Sequence, residues 1–181
     1  MVQDPDRPPL HLVGDPAAEF DAVFADQKQR LWAIAYGVLR DRDEAHDAVQ
    51  ETMVKAWRSW HQLREPEKRA AWLTTICLRH CFRRRTSLGR AEPVAIGDDD
   101  GSITAFAPPG SAAAAGRAPR DLDLDRAYAK LPPKQRAAVL LHYHFGYTVE
   151  QCGELMGCRS GTVRTHVQRA LATLRQELGD A

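Results

Sequence analysis

Along this chain, apolar residues recur at helical spacing in two long stretches separated by a stretch with almost none. Leu31, Ile34, Ala35, Val38 and Leu39 fall on one side of a helix. Ala45, Ala48, Val49, Thr52, Ala56 and Trp57 mark a second helix, entered through Asp41 and Asp43. A third runs from about Pro66 to Arg85, with Trp72, Leu73, Ile76 and Phe82 as its apolar side. Residues 19–86 therefore read as helical throughout, after a disordered tail over 1–18. Residues 87–120 are rich in Gly, Pro, Ala, Ser and Asp with few large apolar groups, so they cannot bury enough surface to fold alone and read as a flexible linker. Helical periodicity resumes over 121–181, where Leu122, Leu124 and Tyr128 precede a start at Pro132 and Pro133, and Ala137, Leu140, Leu141 and Tyr143 carry it on. The predicted fold class is all-α, two small helical domains on a flexible linker.

The last fifty residues hold the most specific pattern, GYTVEQCGELMGCRSGTVRTHVQRALATLR (146–175). Thr148 and Gln151 form a T-x-x-Q capping box at a helix start. Val149, Cys152, Leu155 and Met156 then share a face, and Gly157 stands where a glycine ends a helix. A second helix begins about three residues later, with Val163, Val167, Ala170, Leu171, Leu174 and Leu178 on its apolar side. Its other faces carry Arg164, Thr165, Gln168, Arg169 and Arg175. Two short helices around a glycine turn, the second one basic, form the helix-turn-helix pattern.

Charge sharpens this. The 181-residue chain has a formal net charge of only +1. The average hides two patches: Lys68 to Arg90 holds seven basic residues and no acid, and Leu155 to Gln176 holds four arginines and no acid. Two separated basic patches on a near-neutral chain fit two contact zones on one anionic polymer. No apolar run is long enough for a membrane span and no signal-peptide core opens the chain, so the expected compartment is the cytoplasm, without membrane insertion. The cysteines, Cys77/Cys81 and Cys152/Cys158, have no paired C-x2-C zinc spacing. Cys77, Cys81 and His80 share a helical turn, a redox or metal role for them stays open, and no metal or cofactor is expected. Phosphate-cradling G-x-x-x-x-G-K-[ST], nucleophile-elbow G-x-S-x-G and metal-hydrolase H-E-x-x-H patterns do not occur, so an enzyme is not expected.

DRDEAHDAVQETMVKAW (41–57) resembles the region 2 helix of group 4, or extracytoplasmic-function (ECF), sigma factors of the sigma-70 family, which ends in V-Q-E-x-x-x-x-A-W. AWLTTICLRHCFRRR (71–85) is similar to the helix that follows, and 131–175, with its L-P-x-x-x-R start and G-T-V-R, is similar to region 4. The resemblance covers about seven-tenths of the chain in the family's order. It implies a region 2 domain over 19–86, binding core RNA polymerase and the −10 element, and a region 4 domain over 121–181, binding the −35 element. The implied function is an alternative sigma factor that directs promoter-specific initiation and assists strand opening.

The implied sites follow position by position. Asp47, Gln50 and Glu51 would face the β′ clamp helices of the polymerase, and the β flap is a second expected contact. The segment 60–64 would capture a flipped −10 base, with Trp60 and His61 as candidates, although Trp60 is equally suited to a core. Arg79, Arg83, Arg84 and Arg85 would lie along the −10 backbone, with arginine at Arg79 and Arg83 where the family commonly has Asn and Asp. Arg164, Thr165 and Arg169 match −35 contacts in the major groove, and Thr162 a phosphate contact. His166 replaces a frequent arginine, and Arg159 a frequent capping serine, leaving Ser160 to cap one residue later. An anti-sigma protein is a further expected partner. Two other readings stay open: a decoy that sequesters an anti-sigma protein, and a stand-alone helix-turn-helix regulator.

Overall fold

The computed structural model describes residues 15–63, 65–87 and 119–179. Among these residues every regular element is helical. The expected linker over 87–120 and tail over 1–18 lie mostly outside them. The exceptions are at their edges: α1 (Pro16–Leu39) starts inside the expected tail and α4 (Pro119–Lys130) inside the expected linker. Asp15 caps α1 by accepting from the Ala17 N–H at 3.0 Å, and Pro16 occupies the first turn, where its missing N–H costs nothing.

α1, α2 (Arg42–Ser59) and α3 (Arg69–Ser87) pack mutually as the first unit. Asp41 ends the connection into α2 by accepting from the Asp43 and Glu44 N–H groups at 2.9 and 3.0 Å. Between α2 and α3 the chain makes two 3₁₀ turns, Trp60–Gln62 and Pro66–Lys68. Leu31, Ile34, Val38, Ala45, Ala48, Leu73, Leu78 and Phe82 fill the centre.

The second unit contains α4, α5 (Pro133–Val139), a π-helical turn (Leu140–His144), α6 (Val149–Met156) and α7 (Ser160–Gly179). The capping box at α6 is complete: Thr148 Oγ1 accepts from Gln151 N–H at 3.1 Å, and Gln151 Oε1 accepts from Thr148 N–H at 2.9 Å. Gly157 ends α6 at φ 67°, the left-handed region that glycine enters without strain. Gly153 is required for a different reason. A Cβ there would sit 2.7 Å from the Cys158 carbonyl oxygen, so only glycine lets the turn fold this closely onto α6.

The two units share one apolar cluster that runs from Phe20 of α1 to Val167 of α7. α5 crosses α1, and α6 lies against α3. Leu140 meets the Cβ-free surface of Gly37, where an added Cβ would come within 2.6 Å of Leu140 Cδ2. Three arginines fasten this junction. Arg136, only 2% exposed, donates from Nε and Nη2 to the Val38 carbonyl at 3.0 and 2.5 Å, and from Nη1 to Leu131 at 2.7 Å and Ala129 at 3.2 Å. The Val38 carbonyl is in the last turn of α1 and has no intrahelical partner there. Arg30 lies over the rings of Phe145 and Tyr147 and donates to the Tyr147 hydroxyl at 2.5 Å. Arg40 ends α1 at φ 61°, stacks over Tyr36 and Tyr128, and bonds Asp125 of α4 at 2.6 Å.

Helical spacing misjudged what covers some apolar residues. Trp57, expected on the core side of α2, is 48% exposed, and Tyr143 and Leu178 are 59% and 40% exposed. Periodicity assigns residues to a common stripe, but the width of that stripe that a neighbour covers is set by tertiary packing.

Candidate nucleic-acid interface

The recognition helix is built from inside out. Val163, Val167, Ala170 and Leu174 of α7 are buried, which turns Thr162, Arg164, Thr165, Gln168 and Arg169 outward. The backbone of Arg159 accepts from the Thr162 and Val163 N–H groups at 2.9 and 3.2 Å, so the helix boundary falls at Arg159 and Ser160 is already its first residue. All four residues expected at the −35 element, Thr162, Arg164, Thr165 and Arg169, are exposed along this helix. Thr165 Oγ1 donates back to the Gly161 carbonyl at 3.0 Å, and Arg164 reaches Glu150 of α6 at 3.1 Å.

The expected −10 group is divided. Trp60 is a correction: it is 6% exposed, edge-on to Phe20 with ring centroids 5.1 Å apart, and under the Arg69 guanidinium at 4.7 Å. That packing makes Trp60 a core residue that closes α1 onto the α2–α3 connection, leaving no ring face for a base. His61 beside it is exposed. On α3, Arg83 is exposed and Arg79 half-buried. Arg84 is held by α2, with Nε 2.6 Å from Glu44 Oε2 and Nη2 3.6 Å from Asp47 Oδ2. This bond raises the Arg84 pKa and lowers that of Glu44. The side chain of Arg85 lies outside the described residues.

Asp47, Gln50 and Glu51, expected at the polymerase, come together with His80 and Arg84 around one polar notch of about 260 Å³. One helical turn further on, Met53, Val54 and Trp57 are exposed beside them. Sequence reasoning missed these three as surface residues. Their clustering on the side of α2 that carries Gln50 was the available signal.

The sulfur and imidazole groups of α3 diverge. Cys77 and Cys81 are wholly buried, and the hydrogen bond with Cys77, then burial, pushes the Cys81 thiol well up. His80 lines the outer notch instead. Among the described residues no three potential ligands converge as a metal site would need.

Burial, then Lys55, depresses the His80 pKa, and burial, then Lys134 and Arg169, depresses that of His166. Glu51 opposes the shift at His80, while Arg83 and Arg84 add to it. Both imidazoles titrate below their ordinary 6.5, so the unfolded chain binds more protons and their contribution to stability is lost as pH falls below about 6.5. The urea midpoint is therefore expected to drop from pH 7.5 to 5.5, and His80→Asn with His166→Asn is expected to flatten the drop. A midpoint unchanged or rising on acidification would contradict the assignment.

Comparison with known proteins follows the same division of the chain. The sigma-70 region 2 model matches residues 23–91 and the sigma-70 region 4 model matches residues 121–174. ECF RNA polymerase sigma factor SigM of Mycobacterium tuberculosis is 29% identical over 169 residues, covering 93% of this chain and 81% of that protein. RNA polymerase sigma factor SigV of Bacillus subtilis is 28% identical over 155 residues, covering 86% and 88%. Among solved structures, the sigma factor RpoE with the anti-sigma factor NepR from Bartonella quintana matches at a TM-score of 0.67 and 27% identity. That match covers 89% of this chain and 97% of that one. CnrH in complex with the cytosolic domain of CnrY shares the fold at a TM-score of 0.57 and 20% identity, over 92% and 91%. A two-unit helical protein with an outward basic recognition helix, matched in both halves by region 2 and region 4, is a sigma factor. The chain belongs to the sigma-70 family and, within it, to the ECF sigma factors. This is not an enzyme family. No helix among the described residues is long and apolar enough to cross a membrane.

Proposed function

We propose that this ECF sigma factor binds core RNA polymerase through the Asp47/Gln50/Glu51 face of α2. It reads the −35 element with Thr162, Arg164, Thr165 and Arg169, and engages the −10 element with His61, Arg79, Arg83 and Arg84. The region 2 domain is read as 19–86, the linker as 87–120 and the region 4 domain as 121–181. The observation that carries this reading is the outward row on α7, held in place by the capped α6 and its tight turn. An arginine fork matches guanine O6 and N7 in the major groove, and α3 supplies cations for phosphate. Catalysis of RNA synthesis stays with the polymerase, in the cytoplasm. The β flap is a second contact on the polymerase. An anti-sigma protein is a further partner in this reading, because the structural relative RpoE was solved with one.

Geometry adds a requirement. Promoter elements named −10 and −35 are about 25 base pairs, or about 85 Å, apart on the duplex. Here α6 touches both α3 and α7, which places the two reading helices within about 20 Å of each other. The packed arrangement therefore cannot contact both elements at once, and the units must part on the promoter.

Run-off transcription with purified core polymerase tests the function. A transcript from a cognate promoter that requires this chain is expected. Tight anti-sigma binding with no promoter-dependent transcript would favour a decoy. Arg164→Ala is expected to cost about 1–3 kcal/mol of discrimination at one −35 base pair, measured by competition between promoter variants. Unchanged preference would remove Arg164 from base readout.

A further inference from the structure

We propose that Arg84 couples polymerase docking on α2 to −10 DNA contact by α3, by exchanging a carboxylate of α2 for a DNA phosphate. This rests on the assignment of Asp47, Gln50 and Glu51 to the polymerase and of the α3 arginines to DNA. Those two sets meet in one place. Arg84 projects from the basic end of α3, yet its guanidinium is drawn back onto Glu44 at 2.6 Å and towards Asp47 at 3.6 Å. The same Asp47, with Gln50, Glu51, His80 and Arg84, lines the polar notch between the helices.

A guanidinium or ammonium from the polymerase, seated in this notch, takes over the Asp47 carboxylate and repels the neighbouring Arg84. The Arg84–Glu44 pair is partly exposed, with side-chain exposures of 39% and 27%. It is therefore weak enough to exchange partners at little cost, and a DNA phosphate offers Arg84 an equivalent anion. Without polymerase, α2 withholds one cation from DNA. With polymerase bound, that cation is released. The chain then contacts the −10 element more strongly when core enzyme is present than when it is alone.

The test is fluorescence anisotropy of a labelled forked −10 DNA with the full chain, with and without core polymerase. Glu44→Gln, which removes the anchor but keeps the shape, is expected to raise affinity of the free chain roughly 2- to 5-fold. With polymerase present it is expected to give no gain. Asp43→Asn removes the same charge from an exposed neighbour and is expected to give a smaller change. Arg84→Ala is expected to cancel the Glu44→Gln gain, so that the double variant equals Arg84→Ala alone. A gain for Glu44→Gln that equals that of Asp43→Asn, or that persists in the Arg84→Ala background, would overturn the coupling. If no variant of Arg79, Arg83 or Arg84 altered DNA affinity of the holoenzyme, the underlying DNA assignment would fail instead.

Discussion

Replacing Arg136 by alanine is expected to lower the unfolding free energy by about 3–5 kcal/mol, which is a large share of what a small domain has. The side chain is 2% exposed, and its donors go to the carbonyls of Val38, Leu131 and Ala129. Hydrogen bonds from a charged donor contribute about 1.5–3 kcal/mol each, and truncation leaves the end of α1 and the end of α4 with unpaired carbonyls in an apolar setting. Arg136→Lys keeps the charge but not the planar fork that reaches both helix ends, so it is expected to recover less than half of the loss. Arg136→Met fills the volume without donating and is expected to behave like alanine. Urea unfolding followed by circular dichroism measures the series. A loss below 1 kcal/mol for alanine would mean that these bonds are replaced by water at no cost.

Covalent closure of the junction is expected to abolish transcription. Arg40 and Asp125 face each other from α1 and α4 with their charged atoms 2.6 Å apart. Cysteines at both positions, in a chain whose half-buried Cys158 is replaced by serine, can be joined by a short reducible bifunctional thiol reagent. The bridged chain is expected to give only background run-off product and the same chain after reduction to regain activity. Full activity while bridged would show that the packed form is itself the transcribing form.

Local chemistry made much of this molecule legible beforehand. The T-x-x-Q box and Gly157 define α6 because each acts within its own turn, and the apolar row of α7 gives its outward face by subtraction. The Asp15–Pro16 start of α1 carried the same kind of signal, an N-cap followed by a first-turn proline, within a stretch read as tail. What was illegible depended on distant partners. Trp60 is core because Phe20, far from it in sequence, packs edge-on to its ring, and Arg69 from the start of α3 lies over it. Arg84 is tied to α2 because Glu44, forty residues earlier, is in reach. The L-P-x-x-x-R motif marked Arg136 without revealing that its guanidinium crosses to Val38 in the other unit.

In the proposed function, one chain grips two promoter sites by opening at a packed junction. Resonance energy transfer between dyes on Arg58→Cys of α2 and Ala172→Cys of α7, both exposed, reads that opening directly. High transfer is expected for the free chain, and a fall corresponding to tens of ångströms is expected in a transcribing complex of polymerase and promoter. Unchanged high transfer in a complex that makes the promoter-dependent transcript would contradict the two-site grip.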